Sequence, residues 1–159
     1  MKKLYLFILF LFAFAFAEAQ TYCVPTGGSS STTYYISQAT LGGSNTINYT
    51  ASSYQAYVDN SAQNLQTFPG ATISLYIKQS SSTWKFYAYI DWNSDGDFDD
   101  ANENPVATTS YSADYTTTIP VPAGTTAGNK RIRLESGYIT PATPITACGP
   151  SAWGNFVDY

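Results

Sequence analysis

The sequence predicts an all-β protein, a β-sandwich or jelly-roll-like domain. Two stretches alternate with a period of two. In Ala71 to Gln79, Ile73, Leu75 and Ile77 face one way and Thr72, Ser74, Tyr76 and Lys78 the other. In Trp84 to Trp92, Trp84, Phe86, Ala88, Ile90 and Trp92 share one face, and Lys85, Tyr87, Tyr89 and Asp91 share the opposite one. The rest of the chain breaks into short segments punctuated by Gly, Pro and Ser, as two packed sheets require. Beyond the apolar first residues no stretch carries a convincing helical period.

The elements follow in chain order. Met1-Lys2-Lys3 is a short basic start, and Leu4 to Ala17 is an apolar run of fourteen residues. Ala17-Glu18-Ala19 has the form of an A-x-A cleavage site, so residues 1–19 read as a secretory signal and 20–159 as a single domain. The run falls short of the roughly 20 residues that a membrane-spanning helix needs, so no transmembrane segment is expected in the mature chain. An oxidising compartment makes the chain's two cysteines, Cys23 and Cys148, a disulfide pair rather than two free thiols. Such a bridge closes a loop of over a hundred residues, worth up to about 4–5 kcal/mol in the chain-entropy model.

Strands are expected at Thr33 to Leu41, stopped by Gly42-Gly43, and at Asn45 to Thr50. Residues 51–70 read as irregular, with Tyr54, Tyr57 and Val58 as anchors and Pro69-Gly70 as a turn. After Ala71 to Gln79, Ser80-Ser81-Ser82 turns the chain into Trp84 to Trp92. That strand has bulk on both faces and is expected in a sheet interior. Val106 to Ser110, Tyr115 to Val121 and Lys130 to Ser136 complete the strand set, with Ile132 and Leu134 inward. Residues 139–153 contain Pro141, Pro144 and Pro150 and read as a long loop pinned by Cys148.

The strand ending at Asp91 runs into the most distinctive stretch of the chain, Asp91 to Glu103. It holds six of the ten carboxylates that follow Glu18. Groups of one sign crowded this closely repel unless a positive charge sits among them. Asp91, Asn93 and Asp95 alternate, Gly96 permits a sharp turn and Asp97 follows, which is the opening of a D-x-[DN]-x-[DN]-G calcium loop. Oxygen ligands without histidine or thiolate suit a hard cation. The expected ligands are the side chains of Asp91, Asn93, Asp95 and Glu103 and the main-chain carbonyl of Asp97, with Asp99 or Asp100 adding another directly or through water. The loop departs from an EF-hand in two respects. Its glutamate, Glu103, comes one residue late, with Asn102 in the usual place, and a strand rather than a helix leads into it. An acidic, solvated turn that binds nothing specific is the other reading.

Several landmarks then stand in a particular order. Tyr22-Cys23 opens the mature chain, and Ile90-Asp91-Trp92-Asn93-Ser94-Asp95-Gly96-Asp97-Phe98 follows, with Glu103 behind it. Ile119-Pro120-Val121-Pro122 leads to Gly128 and Arg131-Ile132-Arg133. Cys148-Gly149 precedes Gly154-Asn155-Phe156-Val157-Asp158-Tyr159. In these features the chain resembles the GEVED domain of secreted bacterial proteins, over nearly all of residues 22–159. The resemblance implies a module that stands beside metalloprotease or adhesin-like neighbours. The departure is at the eponymous end, where the family reads Gly-Glu-Val-Glu-Asp-Tyr. Both glutamates are replaced here, and the chain stops at Tyr159, where relatives run on into another strand. It therefore reads as a fragment or a minimal stand-alone version.

Composition narrows the function. With a net charge of −4 and only Lys78, Lys85, Lys130, Arg131 and Arg133 as cations beyond the signal, nucleic acid is not an expected partner. A chain with no histidine excludes Ser-His-Asp and Cys-His chemistry. Asp59, Asp114, Glu135 and Asp158 are scattered, with nothing in the sequence to pair them for glycoside hydrolysis. The expectation is a non-catalytic, calcium-stabilised, secreted or cell-surface module, structural, adhesive or accessory to a neighbouring module, whose partner is a surface protein or polysaccharide. The alternatives are a carbohydrate-binding module, suggested by an aromatic content of 16% with 14 tyrosines, and an accessory fragment of a secreted hydrolase.

Overall fold

The computed structural model describes residues 21–26, 32–138, 146–149 and 153–159. The expected signal at 1–19 and most of the expected loop at 139–153 lie outside them. Nine strands are present: β1 (Ile36–Gly42), β2 (Thr46–Thr50), β3 (Tyr57–Asp59), β4 (Thr72–Gln79), β5 (Lys85–Ile90), β6 (Val106–Ala107), β7 (Asp114–Pro120), β8 (Ile132–Gly137) and β9 (Gly154–Asp158). They form a four-stranded sheet in the order β2-β1-β4-β7 and a five-stranded sheet in the order β3-β9-β8-β5-β6. No helix occurs among the described residues, and none there is long and apolar enough to cross a membrane.

Alternation turns one row of each strand inward. Ile36, Ala39, Leu41, Ile47, Ile73, Leu75, Ile77 and Ile119 of the first sheet meet Phe86, Ala88, Ile90, Val106, Ile132, Leu134 and Val157 of the second in one buried cluster. Two packed sheets sharing one core make this a β-sandwich. Strand β5 lies inside its sheet, between β8 and β6, as its bulk on both faces requires. Its outward residues Tyr87 and Tyr89 are buried as well, with Phe98 and Ala147, in a second cluster on the outer face.

The ladders are antiparallel except one: β3 runs parallel to β9, with Tyr57 beside Phe156 and Asp59 beside Asp158. Two elements differ from expectation. Tyr57 and Val58 belong to a strand rather than an irregular anchor, and residues 154–158 form β9. Strand β9 is buried on both faces, so alternation does not mark it. Its first residue is fixed by space. Gly154 has φ +110, and a Cβ there would lie 1.8 Å from the Ser136 carbonyl oxygen. Only glycine fits.

Candidate functional site

The acidic loop starts where β5 ends, and its base is held from both sides. The Ile90 N–H donates to the Glu103 carbonyl at 2.8 Å and the Asp91 N–H to the Arg131 carbonyl at 3.1 Å. Asp91 is fully buried. Its Oδ1 accepts the Ser94 N–H at 2.6 Å, and its Oδ2 accepts the Gly96 N–H at 3.0 Å and the Tyr22 hydroxyl at 2.6 Å. Gly96 has φ +100, the conformation that lets its N–H turn back onto Asp91.

From there the alternating side chains repeat one device. Asn93 Oδ1 accepts the Asp95 N–H at 3.1 Å, Asp95 Oδ1 the Asp97 N–H at 3.3 Å, and Asp97 Oδ1 the Asp99 N–H at 2.9 Å. Each is an Asx turn, a side-chain oxygen bonded to the backbone two residues on. The loop's far end closes on Glu103, also buried, whose carboxylate accepts the Trp92 N–H at 2.9 Å and the Asp100 N–H at 3.4 Å. Burial raises the Glu103 carboxyl above its usual range, the two backbone donors pull it down, and the charges of Asp91 and Asp95 add to the rise.

The predicted ligands thus fall into two sets. Asp91 and Glu103 are buried at the base, while Asn93, Asp95, Asp97, Asp99 and Asp100 are exposed on the turn. Among the described residues no three carboxylate or thiol groups converge closely enough to make a metal cage. Instead one donor group sits between two of the acids: Asn93 Nδ2 donates to Asp95 Oδ2 at 2.8 Å and to Asp100 Oδ2 at 2.6 Å. Lys130 approaches from β8's side, with Nζ 2.6 Å from Ser94 Oγ, and the Arg131 guanidinium lies 4.8 Å from the Tyr22 ring centroid. The cations nearest in space are therefore downstream, whereas Lys78 and Lys85 are those nearest before the loop in sequence.

The donor atoms are all oxygen, the kind a hard cation takes, and the Asx ladder sets Asn93, Asp95 and Asp97 in sequence order around one turn. The Asn93 amide already supplies positive partial charge to Asp95 and Asp100.

The loop's one buried apolar side chain, Phe98, reaches behind the turn to a feature that sequence reasoning missed. Its ring packs 5.4 Å from that of Tyr22 and 5.0 Å from the guanidinium of Arg133. Arg133 and Asp158 face each other across β8 and β9, and both are fully buried. Arg133 Nε donates to Asp158 Oδ1 and Nη2 to Asp158 Oδ2, each at 2.7 Å. Nη1 donates to the Ala147 carbonyl at 2.7 Å and Nη2 also to the Cys23 carbonyl at 2.9 Å. Cys23 and Cys148 are disulfide-bonded, as expected. One guanidinium therefore joins β9, both arms of the bridge and the acidic loop. Within an alternating strand Arg133 reads as a solvated outward residue. The signal that could have exposed it was its place, with Asp158, among the family landmarks.

Beside it, Glu135 is fully buried, with the Tyr89 hydroxyl donating to Oε2 at 3.2 Å and no hydrogen-bond partner for Oε1 among the described residues. Burial pushes its carboxyl up to about 8, against the opposing effects of Tyr89 and Arg133. Between the ordinary value of 4.5 and that point the unfolded chain loses a proton that the folded chain keeps. Stability should therefore fall as pH rises across this window, by at most about 1.4 kcal/mol per pH unit from this group. Urea unfolding at several values between pH 5 and pH 8 checks it. The parent should lose stability over that interval and Glu135→Gln should lose less; an identical slope in both would show that Glu135 titrates normally.

The comparisons agree with this landmark set. A scan against family models matches the GEVED domain over residues 85–159. That stretch of the chain is a GEVED domain. Searches of curated proteins and of solved structures return no match. The match begins at β5, so the GEVED stretch supplies β5, β6, β8 and β9 of one sheet and β7 of the other, while β1 to β4 lie outside it. It is narrower than the expected 22–159, yet both halves share one core. Of the eponymous motif, Gly154 is the residue that Ser136 leaves no room to replace, and Asp158 is the partner of Arg133. Asn155, at the first glutamate's position, turns into the sandwich and accepts the Ile36 N–H at 2.8 Å.

Proposed function

We propose that this GEVED protein is a non-catalytic extracellular module whose acidic loop takes up calcium, and that it serves as a structural or adhesive unit of a secreted or cell-surface protein. The observation that carries the reading is the ladder of Asx turns from Asp91 to Asp99, closed by the Gly96 N–H on Asp91. Asp91, Asn93, Asp95 and Glu103 would hold the ion with side-chain oxygens and Asp97 with its carbonyl, and Asp99 or Asp100 would complete the set. The ion would supply charge neutralisation and a cross-link for a turn too polar to pack. A disulfide in the domain supports an oxidising location.

Support for a non-catalytic role comes from how three of the four carboxylates that follow Glu18 outside the loop are placed, the fourth, Asp114, being exposed. Asp158 is locked to Arg133, Asp59 lies 3.6 Å from Arg131, and Glu135 is buried. The chain has no histidine to work with them.

A thermal melt in calcium, in magnesium and in EDTA tests the proposal. Extracellular calcium sites bind at roughly 10⁻⁴–10⁻³ M. At tenfold that concentration calcium should add about 1.4 kcal/mol, raising the Tm by roughly 4–7 °C for a domain of this size. Magnesium should do less, because it gives up its waters reluctantly. Asp95→Ala should lower the Tm mainly when calcium is present. Superposable curves in calcium and EDTA would sink the reading.

A further inference from the structure

At the end of β5 away from the acidic loop the sandwich carries a second feature. Five rings, those of Tyr34, Trp84, Tyr111, Tyr138 and Trp153, line an open cleft of about 510 Å³. Tyr111, Tyr138 and Trp153 are three of the five exposed large apolar or aromatic side chains among the described residues, and they share this one place.

We propose that this cleft is a carbohydrate site that seats a pyranose ring of a neutral or anionic glycan. Trp84 forms a fixed floor. It is buried, exchanges backbone hydrogen bonds with Ser112, and gives its indole N–H to the Ser81 carbonyl at 3.0 Å. The rings meet in a chain, Tyr34 with Trp84 at 4.8 Å and Trp153 at 5.9 Å, and Tyr138 with Trp84 at 6.1 Å and Tyr111 at 5.6 Å. Their planes are inclined by 31° to 74°, so they make a cup rather than a flat platform. A cup fits a single sugar of a soluble chain better than the surface of a crystalline one. Ser82 and Thr83 add hydroxyls to the lining beside those of the tyrosines, the mixture of apolar faces and polar edges that a sugar presents in return.

Charge decides against the other guest an aromatic cage takes. Cages for quaternary ammonium groups use ring faces to hold a cation. This lining contains no carboxylate, and the Lys85 ammonium already lies 5.4 Å from the Tyr111 ring centroid. A second cation would meet repulsion, whereas a neutral or acidic sugar would not. A proline-rich peptide would also stack on rings, but the floor's indole N–H is already committed to Ser81 and has no bond left for a peptide carbonyl.

The test is affinity electrophoresis of the full chain, with calcium in excess, through gels containing mixed-linkage β-glucan, xylan, galactomannan or pectin. At least one polymer should retard it. Trp153→Ala and Tyr111→Ala should each weaken that binding by about tenfold or more while keeping a cooperative melt and the parent's circular dichroism, since both side chains are partly exposed. Trp92→Phe, in the acidic loop at the other end of β5, should bind like the parent. Absence of retardation on all four polymers would overturn the proposal. So would retardation that both ring variants retain, or binding of decaproline or tetramethylammonium that both variants lose. The calcium reading is judged separately by the melt, so failure of one leaves the other standing.

Discussion

Replacing Arg133 with methionine should cost the fold about 3–5 kcal/mol. The guanidinium and the Asp158 carboxylate are both fully buried, so the variant removes the acid's closest charge partner and leaves it only the longer pairing with Arg131 at 3.8 Å. The loss extends beyond the pair. The Ala147 and Cys23 carbonyls lose donors, and the Tyr57 and Phe98 rings lose the cation that lies 5.8 Å and 5.0 Å from their centroids. The Tyr57 hydroxyl still reaches Asp158 at 3.0 Å but carries no compensating charge; burial, then the Asp158 charge and this bond, push the phenol up to about 12. Urea unfolding of Arg133→Met, Asp158→Asn and the double variant measures the effect. The double variant should be less impaired than the two single losses added together, because removing both charges leaves neither buried group short of its main partner. A loss below about 1 kcal/mol for Arg133→Met would place the pair in the class of solvated surface ion pairs.

Removal of the disulfide should have an effect of similar size. Cys23 and Cys148 stand 125 residues apart, and opening a loop of that length releases about 5 kcal/mol of chain entropy to the unfolded state. Domains of this size are stable by only about 5–15 kcal/mol, so a Cys23→Ala/Cys148→Ala variant should be extensively unfolded at 37 °C or close to it. Circular dichroism and urea titration check it, and a loss under about 1 kcal/mol would refute it. The two effects should not add, because the bridge positions the Cys23 carbonyl that Arg133 holds.

Much of the sandwich was readable from side-chain period. Strands β4 and β5 announce themselves because one face of each is apolar without interruption, and β1, β2, β7 and β8 lie within two or three residues of where Gly, Pro and Ser bound them. Strand β9 was not readable. Asn155 and Val157 point into the sandwich and Phe156 and Asp158 point out, yet all are buried, so polarity carries no phase. The same blindness hid Arg133 and Glu135. A rule that sends charge outward is right about direction here and wrong about solvent, because Tyr22, Phe98 and Ala147 cover the outer face. In the acidic loop the motif gave the residues and their order. It did not give the division into a buried base, Asp91 and Glu103, and an exposed turn, because that depends on where the Tyr22 segment and Arg131 arrive from distant parts of the chain.

The parallel ladder of β3 on β9 has a kinetic side. Tyr57 and Phe156, which it brings together, are nearly a hundred residues apart, and β9 occupies an interior place in its sheet. In the five-stranded layer β3 can therefore join β9, and β5 can join β8, only by closing long loops before the contacts that reward the closure. Such a chain belongs with the slow-folding β-sandwiches, which fold in milliseconds to seconds. Until residues 154–158 arrive, the flank of β8 that they will cover stays open to strands of other molecules.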